Sequence, residues 1–263
     1  MNLERELEIS SHLAHSAGDI LLAYFHDRQY ESNHKKGDRD LVTTADTASE
    51  EILVHGLAKA FPGDCVIAEE GGKVVANRSR TWYIDPLDGT INYAHGIPHW
   101  CISIALFDGV DPVLGVIHDP ILGETVRTVI GAGAWCNQSR ISCNQRIDLR
   151  SACVHLTIDF DDEGRQVGLK DFEVVAPHVM RTRSMGSVSL ALAYTAMGRL
   201  DAVVHRYAHT WDYAAGVMLI REAGGVVTDL LGESYTPDTA AVVAAANPNV
   251  HAELLALLHQ ASL

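Results

Sequence analysis

Carboxylates stand where the apolar segments of this chain end, and that placement restricts its possible folds more than any bulk property. Cys65-Val66-Ile67-Ala68 stops at Glu69-Glu70-Gly71-Gly72, Trp82-Tyr83-Ile84 runs straight into Asp85-Pro86-Leu87-Asp88-Gly89-Thr90, and Asp212 leads into the apolar stretch from Tyr213 to Ala223. Binding sites of α/β proteins lie outside strand ends. Acids at strand tips and helix starts can therefore converge on one point, which acids scattered over a surface do not.

The surrounding pattern supports such a layout. Leu3, Leu7, Ala14, Ala17, Leu21 and Tyr24 recur at helical steps and predict a long amphipathic helix. A polar stretch from Glu31 to Arg39 interrupts the pattern. Thr47-x-x-Glu50 fits a capping box and predicts a second helix running to about Ala60. Further strands are expected at Cys101–Phe107, Val113–His118 and Glu124–Ile130, with turn residues between them. The second half alternates, with strands at Val154–Ile158, Asp201–His205, Gly225–Leu230 and Ala241–Ala245. Helices are expected at Ser187–Met197, Tyr213–Ala223 and Asn249–Gln260. A strand-rich first half followed by alternating β and α predicts a layered α/β architecture. No repeat or linker divides residues 1–263, so the chain reads as one domain.

The hexapeptide from Asp85 to Thr90 carries the most chemistry. Pro86 suits the second position of a β-turn, whose ends lie within ~7 Å, so both aspartates can reach one small volume. Carboxylates that close repel one another unless a cation neutralises them or one takes a proton, and hard oxygen donors suit Mg²⁺. Gly89 permits close backbone approach, and a helix starting at Thr90 would aim N–H groups at an anion such as phosphate. Taken singly, each piece has an ordinary reading: a turn, a solvated strand end, a helix cap at Asp212. Their conjunction favours a site.

Four ordered blocks resemble the inositol monophosphatase family of Mg²⁺-dependent, lithium-sensitive sugar-phosphate phosphatases. They are Asp40-Leu41-Val42-Thr43-Thr44-Ala45-Asp46; Ile67-Ala68-Glu69-Glu70; Trp82 through Tyr93; and Trp211-Asp212-Tyr213-Ala214-Ala215-Gly216, running on to Glu222-Ala223-Gly224-Gly225. Ala68 replaces a usual glycine. The resemblance implies an αβαβα sandwich, assembled as a homodimer. It implies that Glu69, Asp85 and the Leu87 carbonyl hold a first Mg²⁺, and that Asp85, Asp88 and Asp212 hold a second. Thr90, partnered by Asp46, would orient and deprotonate the attacking water. Glu70 would support that water or a third, weaker ion. Leu87, Asp88, Gly89, Thr90, Gly186, Ser187, His205 and Asp212 would surround the substrate, with the Gly89 and Thr90 N–H groups on the phosphate.

His205, seven residues before Asp212, stands where inositol-directed members carry a glutamate that bonds ring hydroxyls. Imidazole can donate or accept in its place. Inositol 1-phosphate is the leading substrate, and histidinol phosphate, fructose 1,6-bisphosphate and adenosine 3′,5′-bisphosphate are family alternatives. A non-catalytic regulatory binding protein is the rival from another class. Asp-x-x-Asp-Gly-Thr is one residue longer than the haloacid-dehalogenase motif and lies deep in the chain. Lys35 or Lys36 is a candidate to offset phosphate charge. Trp82, Trp100, Trp135 and Trp211 are expected in the core.

Composition sets the remaining expectations. With 20 Lys+Arg against 34 Asp+Glu the formal charge is −14, and no basic stripe favours nucleic acid. No apolar run approaches the ~18 residues of a membrane span, and the acidic N-terminus is unlike a signal peptide. Five cysteines without a C-x-x-C pair suggest a reduced, cytoplasmic protein.

Overall fold

A computed structural model describes residues 2–27, 32–34, 41–76, 79–158, 161–207, 209–237 and 239–261. In chain order the elements are α1 (Glu4–Asp27), β1 (Ser32–His34), β2 (Leu41–Thr43), α2 (Thr44–Ala60), β3 (Cys65–Ala68), β4 (Lys73–Val74), β5 (Arg80–Asp88), α3 (Thr90–Ala94), β6 (Cys101–Asp108), β7 (Asp111–Asp119), β8 (Glu124–Val129), β9 (Ala134–Cys136), β10 (Ser139–Ile141), β11 (Cys153–Leu156), α4 (Asp162–Val175), β12 (Arg181–Arg183), α5 (Val188–Ala196), β13 (Ala202–His205), α6 (Thr210–Glu222), β14 (Val226–Thr228), β15 (Val242–Ala245) and α7 (Pro248–Ala261). β1 and β2 form a small antiparallel pair; the other strands form two sheets, ordered β10-β9-β8-β7-β6-β5-β3-β4 and β12-β11-β13-β15-β14.

Alternation along the strands sorts the side chains into layers. On β6, Ile102, Ile104 and Leu106 pack with Leu21 of α1 and with Leu53 and Leu57 of α2. Cys101, Ala105 and Phe107 face the opposite way, into a core shared with α5 and α6. The second sheet closes that core from the far side with Val203, Val242 and Ala244, while Val204, Val243 and Ala245 meet Leu254 and Leu258 of α7. The order is thus helices, sheet, helices, sheet, helices, the expected αβαβα sandwich. α5 and α6 touch a sheet on each side, which is why Leu190, Ala191, Leu192 and Ala193 are all buried. Gly216 lets these two helices meet, since a Cβ there would stand 2.4 Å from Leu192 Cβ.

Several expectations change. α2 starts at Thr44, capped by Thr43 in a box closed by Asp46, so the Thr47-x-x-Glu50 box does not form. Asp85 to Asp88 is no β-turn but the bulged end of β5. Asp212 is the third residue of α6 rather than its cap, which is His209. Helix α4 has no counterpart in the sequence reading. Trp82 and Trp100 are fully buried, but Trp135 is 37% exposed and Trp211 only half-buried. Lys35 and Lys36 lie outside the described residues.

Candidate active site

Strand register brings the first two acids together. β3 and β5 run parallel with Ala68 opposite Ile84, so Glu69 and Asp85 leave neighbouring strands side by side. The Glu69 N–H donates to the Ile84 carbonyl at 3.1 Å. Beyond them, Asp85 pairs with Ser103 and Asp88 with Cys101, three residues on β5 spanning two on β6. In a regular strand, residues three apart point to opposite faces. The extra residue of the bulge turns Asp88 back onto the face of Asp85, toward α5 and α6. Pro86, which has no N–H for a ladder, is tolerated at such a position. Its carbonyl accepts the Ser49 hydroxyl of α2 at 2.8 Å.

The third acid arrives from the middle layer. The Asp212 carboxylate accepts the His209 N–H at 2.7 Å, closing the capping box of α6. One oxygen each from Glu69, Asp85 and Asp212 lie within 4.8 Å of one another. Glu70 and Asp88 are outside this three-oxygen group. Burial, then the charges of Glu69, Asp88 and Asp212, push Asp85 well above the usual carboxylate range. Such crowding without a counter-charge is unfavourable, and an all-oxygen donor set of this kind fits a hard divalent cation.

Asp88 is held from the second half of the chain. Its Oδ2 accepts both the Ser187 hydroxyl and the Ser189 N–H at 2.6 Å, so the first turn of α5 supports its negative charge. Burial still raises its pKa to about 6, against those two bonds. Ser187 is buried and committed to Asp88 and to capping α5. Ser189 escaped the sequence reading, although the predicted helix start at Ser187 carried the signal.

Thr90 and Asp46 do meet. The Thr90 hydroxyl lies 3.1 Å from Asp46 Oδ1 and 3.0 Å from the Leu87 carbonyl. Oδ2 of Asp46 accepts the Thr43 N–H at 2.9 Å as well as the Thr43 hydroxyl, so the cap of α2 also aims this carboxylate. Burial raises Asp46 to about 6, opposed by its bonds to Thr43 and Thr90. Glu50, expected to cap α2, instead accepts the N–H groups of Glu70 and Gly72 at 2.8 and 2.9 Å and fixes the loop after β3.

Gly89 has φ 102°, and a Cβ there would lie 3.0 Å from the His99 carbonyl and 3.3 Å from that of Gly186. Only glycine suits both the conformation and the space. Asn92, also missed, donates to the His99 and Met185 carbonyls at 2.8 and 2.7 Å. It docks the Gly186 loop onto the start of α3. His205 ends β13 half-buried, Nε2 3.1 Å from the Tyr207 carbonyl.

Carboxylates thus converge on one point beside a hydroxyl–carboxylate pair, an arrangement with the donors for a divalent cation and for proton transfer. A model of the inositol monophosphatase family matches residues 2–263. The inositol-1-monophosphatase of Mesorhizobium japonicum is 38% identical over 90% of this chain and 90% of its own length. The Nus factor SuhB of Xylella fastidiosa is 38% identical over 83% and 80%. The crystal structure of extragenic suppressor protein suhB from Bartonella henselae superposes with TM-score 0.92 at 31% identity, covering 97% and 98%. The chain belongs to the inositol monophosphatase family and is a phosphatase.

Proposed function

We propose that the protein hydrolyses the phosphate monoester of a small polyol or sugar, with myo-inositol 1-phosphate the leading substrate, and that it requires Mg²⁺. The observation that carries this reading is the three-oxygen cluster of Glu69, Asp85 and Asp212. Glu69, Asp85 and the Leu87 carbonyl are assigned to one ion, Asp85, Asp88 and Asp212 to a second, and Glu70 to support of a weaker third. Bound there, Mg²⁺ supplies Lewis acidity toward the phosphoryl oxygens and an acidified water.

The remaining work falls to this chain's own groups. A threonine hydroxyl is too weak a base to act alone, so the proton lost by the attacking water passes to Thr90 as Thr90 gives its own to Asp46. A carboxylate with a pKa of about 6 is suited to hold that proton near neutral pH. The Gly89 and Thr90 N–H groups hold the phosphate, and water breaks the P–O bond without a covalent intermediate. Gly186 and His205 border the leaving group. Ser187 acts there through Asp88.

The charge of −14 and the five free cysteines support a cytoplasmic protein without a nucleic-acid partner, and the family resemblance supports a homodimer. No helix among the described residues is long and apolar enough to cross a membrane. The SuhB names of the Xylella fastidiosa and Bartonella henselae relatives favour a second, regulatory reading. Phosphate release from a panel of metabolite monoesters, with and without Mg²⁺, tests the proposal. Mg²⁺-dependent release led by inositol 1-phosphate is expected; no release from any ester leaves the regulatory reading.

A further inference from the structure

We infer that His99, His155 and His205 line a recess for the uncharged, hydroxyl-bearing part of the leaving group, with His155 a specificity-determining residue. The inference rests on the phosphatase reading above and extends it to a wall of the site that the motifs do not cover.

The two sheets bring the three rings together. β11 and β13 are parallel neighbours with His155 opposite Val203. His205 lies two residues further along β13 and so shares that face, directed like Val203 toward the middle layer. His99 enters from the other sheet, just before β6, its ring edge-on to Tyr194 of α5 with centroids 5.8 Å apart. Its carbonyl abuts Gly89 and accepts from Asn92, so this residue adjoins the segment assigned to the phosphate.

Two ring nitrogens in this group, His99 Nε2 and His155 Nδ1, are buried without a hydrogen-bond partner. His155 is 1% exposed, and its other nitrogen lies 3.3 Å from the Thr157 hydroxyl. Buried polar atoms left unpaired are costly and uncommon, and a ligand is one recognised reason for them. Burial, reinforced by repulsion from His205 and His99, holds His155 down to about 3, and burial lowers His99. Both rings are therefore uncharged at neutral pH, each with one donor and one acceptor, which is the complement of an alcohol. The Tyr207 carbonyl can only accept, so it fixes an N–H of His205 on Nε2.

Arg206 donates through Nε and Nη2 to both oxygens of buried Asp171 at 2.6 Å, so its charge is compensated.

Steady-state kinetics of His155→Phe test this, comparing myo-inositol 1-phosphate with phenyl phosphate, whose leaving group has no hydroxyl beyond the one released. KM for the inositol ester is expected to rise about tenfold relative to that for phenyl phosphate, the scale of one net hydrogen bond, with kcat for the two esters keeping its ratio. An equal change on both esters, or no change, overturns the recess while leaving the phosphatase reading intact. If the wild-type protein releases phosphate from neither ester with Mg²⁺, both fall. A measurement on the wild type guards against a misfolded variant. Its ¹⁵N-labelled histidine rings, assigned from His155→Gln, should shift at His155 when myo-inositol is added with Mg²⁺ and inorganic phosphate; an unmoved His155 resonance overturns the inference.

Discussion

The carboxylate end of the site is held by helix caps and a bulge, whereas the histidine end is placed by the direction of two parallel strands. Asp88 takes two bonds from α5, Asp212 closes the cap of α6, Asp46 is aimed by the cap of α2, and the loop carrying Glu69 and Glu70 is fixed by Glu50. His205 Nε2 meets the Tyr207 carbonyl, and His155 Nε2 meets the Thr157 hydroxyl. The difference has a physical reason. Crowded charges must be fixed within tenths of an ångström to serve an ion and a reacting phosphate, while selection among alcohols requires only one or two hydrogen bonds. Chemistry is thus built into helix caps and a bulge, and specificity into side chains that can change without disturbing them.

The largest effects should come from the carboxylate end. Thr90→Val removes the hydroxyl between the water and Asp46 and is expected to lower kcat by ~10²–10³-fold on every ester, the range of general-base catalysis. KM should move little. A variant that keeps more than a tenth of wild-type turnover would show that Asp46 does not act through Thr90. Asp88→Asn comes next, with kcat at least ~100-fold lower, or ~2.7 kcal/mol. Circular dichroism should be unchanged, because Asn can still accept from Ser187 and Ser189. Near-normal turnover in a folded Asp88→Asn protein defeats the ligand assignment.

A smaller and differently shaped effect is expected at the other end. His205→Glu should shift preference among polyol phosphates by about tenfold and change hydrolysis of phenyl phosphate much less. Equal changes on all esters would place His205 with the carboxylates and erase the contrast.

The two ends also differed in how readily the sequence revealed them. Glu69, Asp85, Asp88 and Asp212 announce themselves because apolar runs stop or start beside them, and the layered fold follows from the same alternation. The bulge does not: Asp-Pro-x-Asp is good turn chemistry locally, and only pairing with Ser103 and Cys101 makes it the end of a strand. Thr43-x-x-Asp46 and Thr47-x-x-Glu50 are equally good capping boxes. Tertiary structure chooses between them by drawing Glu50 onto the Glu70–Gly72 loop. Helix α4 is hidden by Gly164 and Gly168 and by its many charges. The histidine wall is invisible in one dimension, since His99, His155 and His205 come from three elements with no shared spacing.

The smallest predicted effect separates the two ends by sign. Unfolded aspartate titrates near ~3.9, but Asp46 and Asp88 do so at about 6 in the metal-free fold, and Asp85 is raised too. Between these values the native state binds more protons than the unfolded chain, so the carboxylate end gains stability as pH falls from about 6 to 4 and loses it as pH rises. His155 works the other way. Unfolded histidine takes a proton near ~6.5 and the folded ring only at about 3, so acidification costs stability at the histidine end. In metal-free protein, His155→Phe removes that second contribution. On moving from pH 7 to pH 6 its Tm should gain on that of the wild type by about 1–3 °C, the equivalent of ~0.7 kcal/mol for a chain of this size. Saturating Mg²⁺ keeps the carboxylates ionised, so the wild-type Tm should then fall on acidification. A metal-free protein whose Tm drops as steeply as the Mg²⁺-loaded one would mean that the carboxylates are not forced together by the fold, and the contrast between the two ends would have lost its cause.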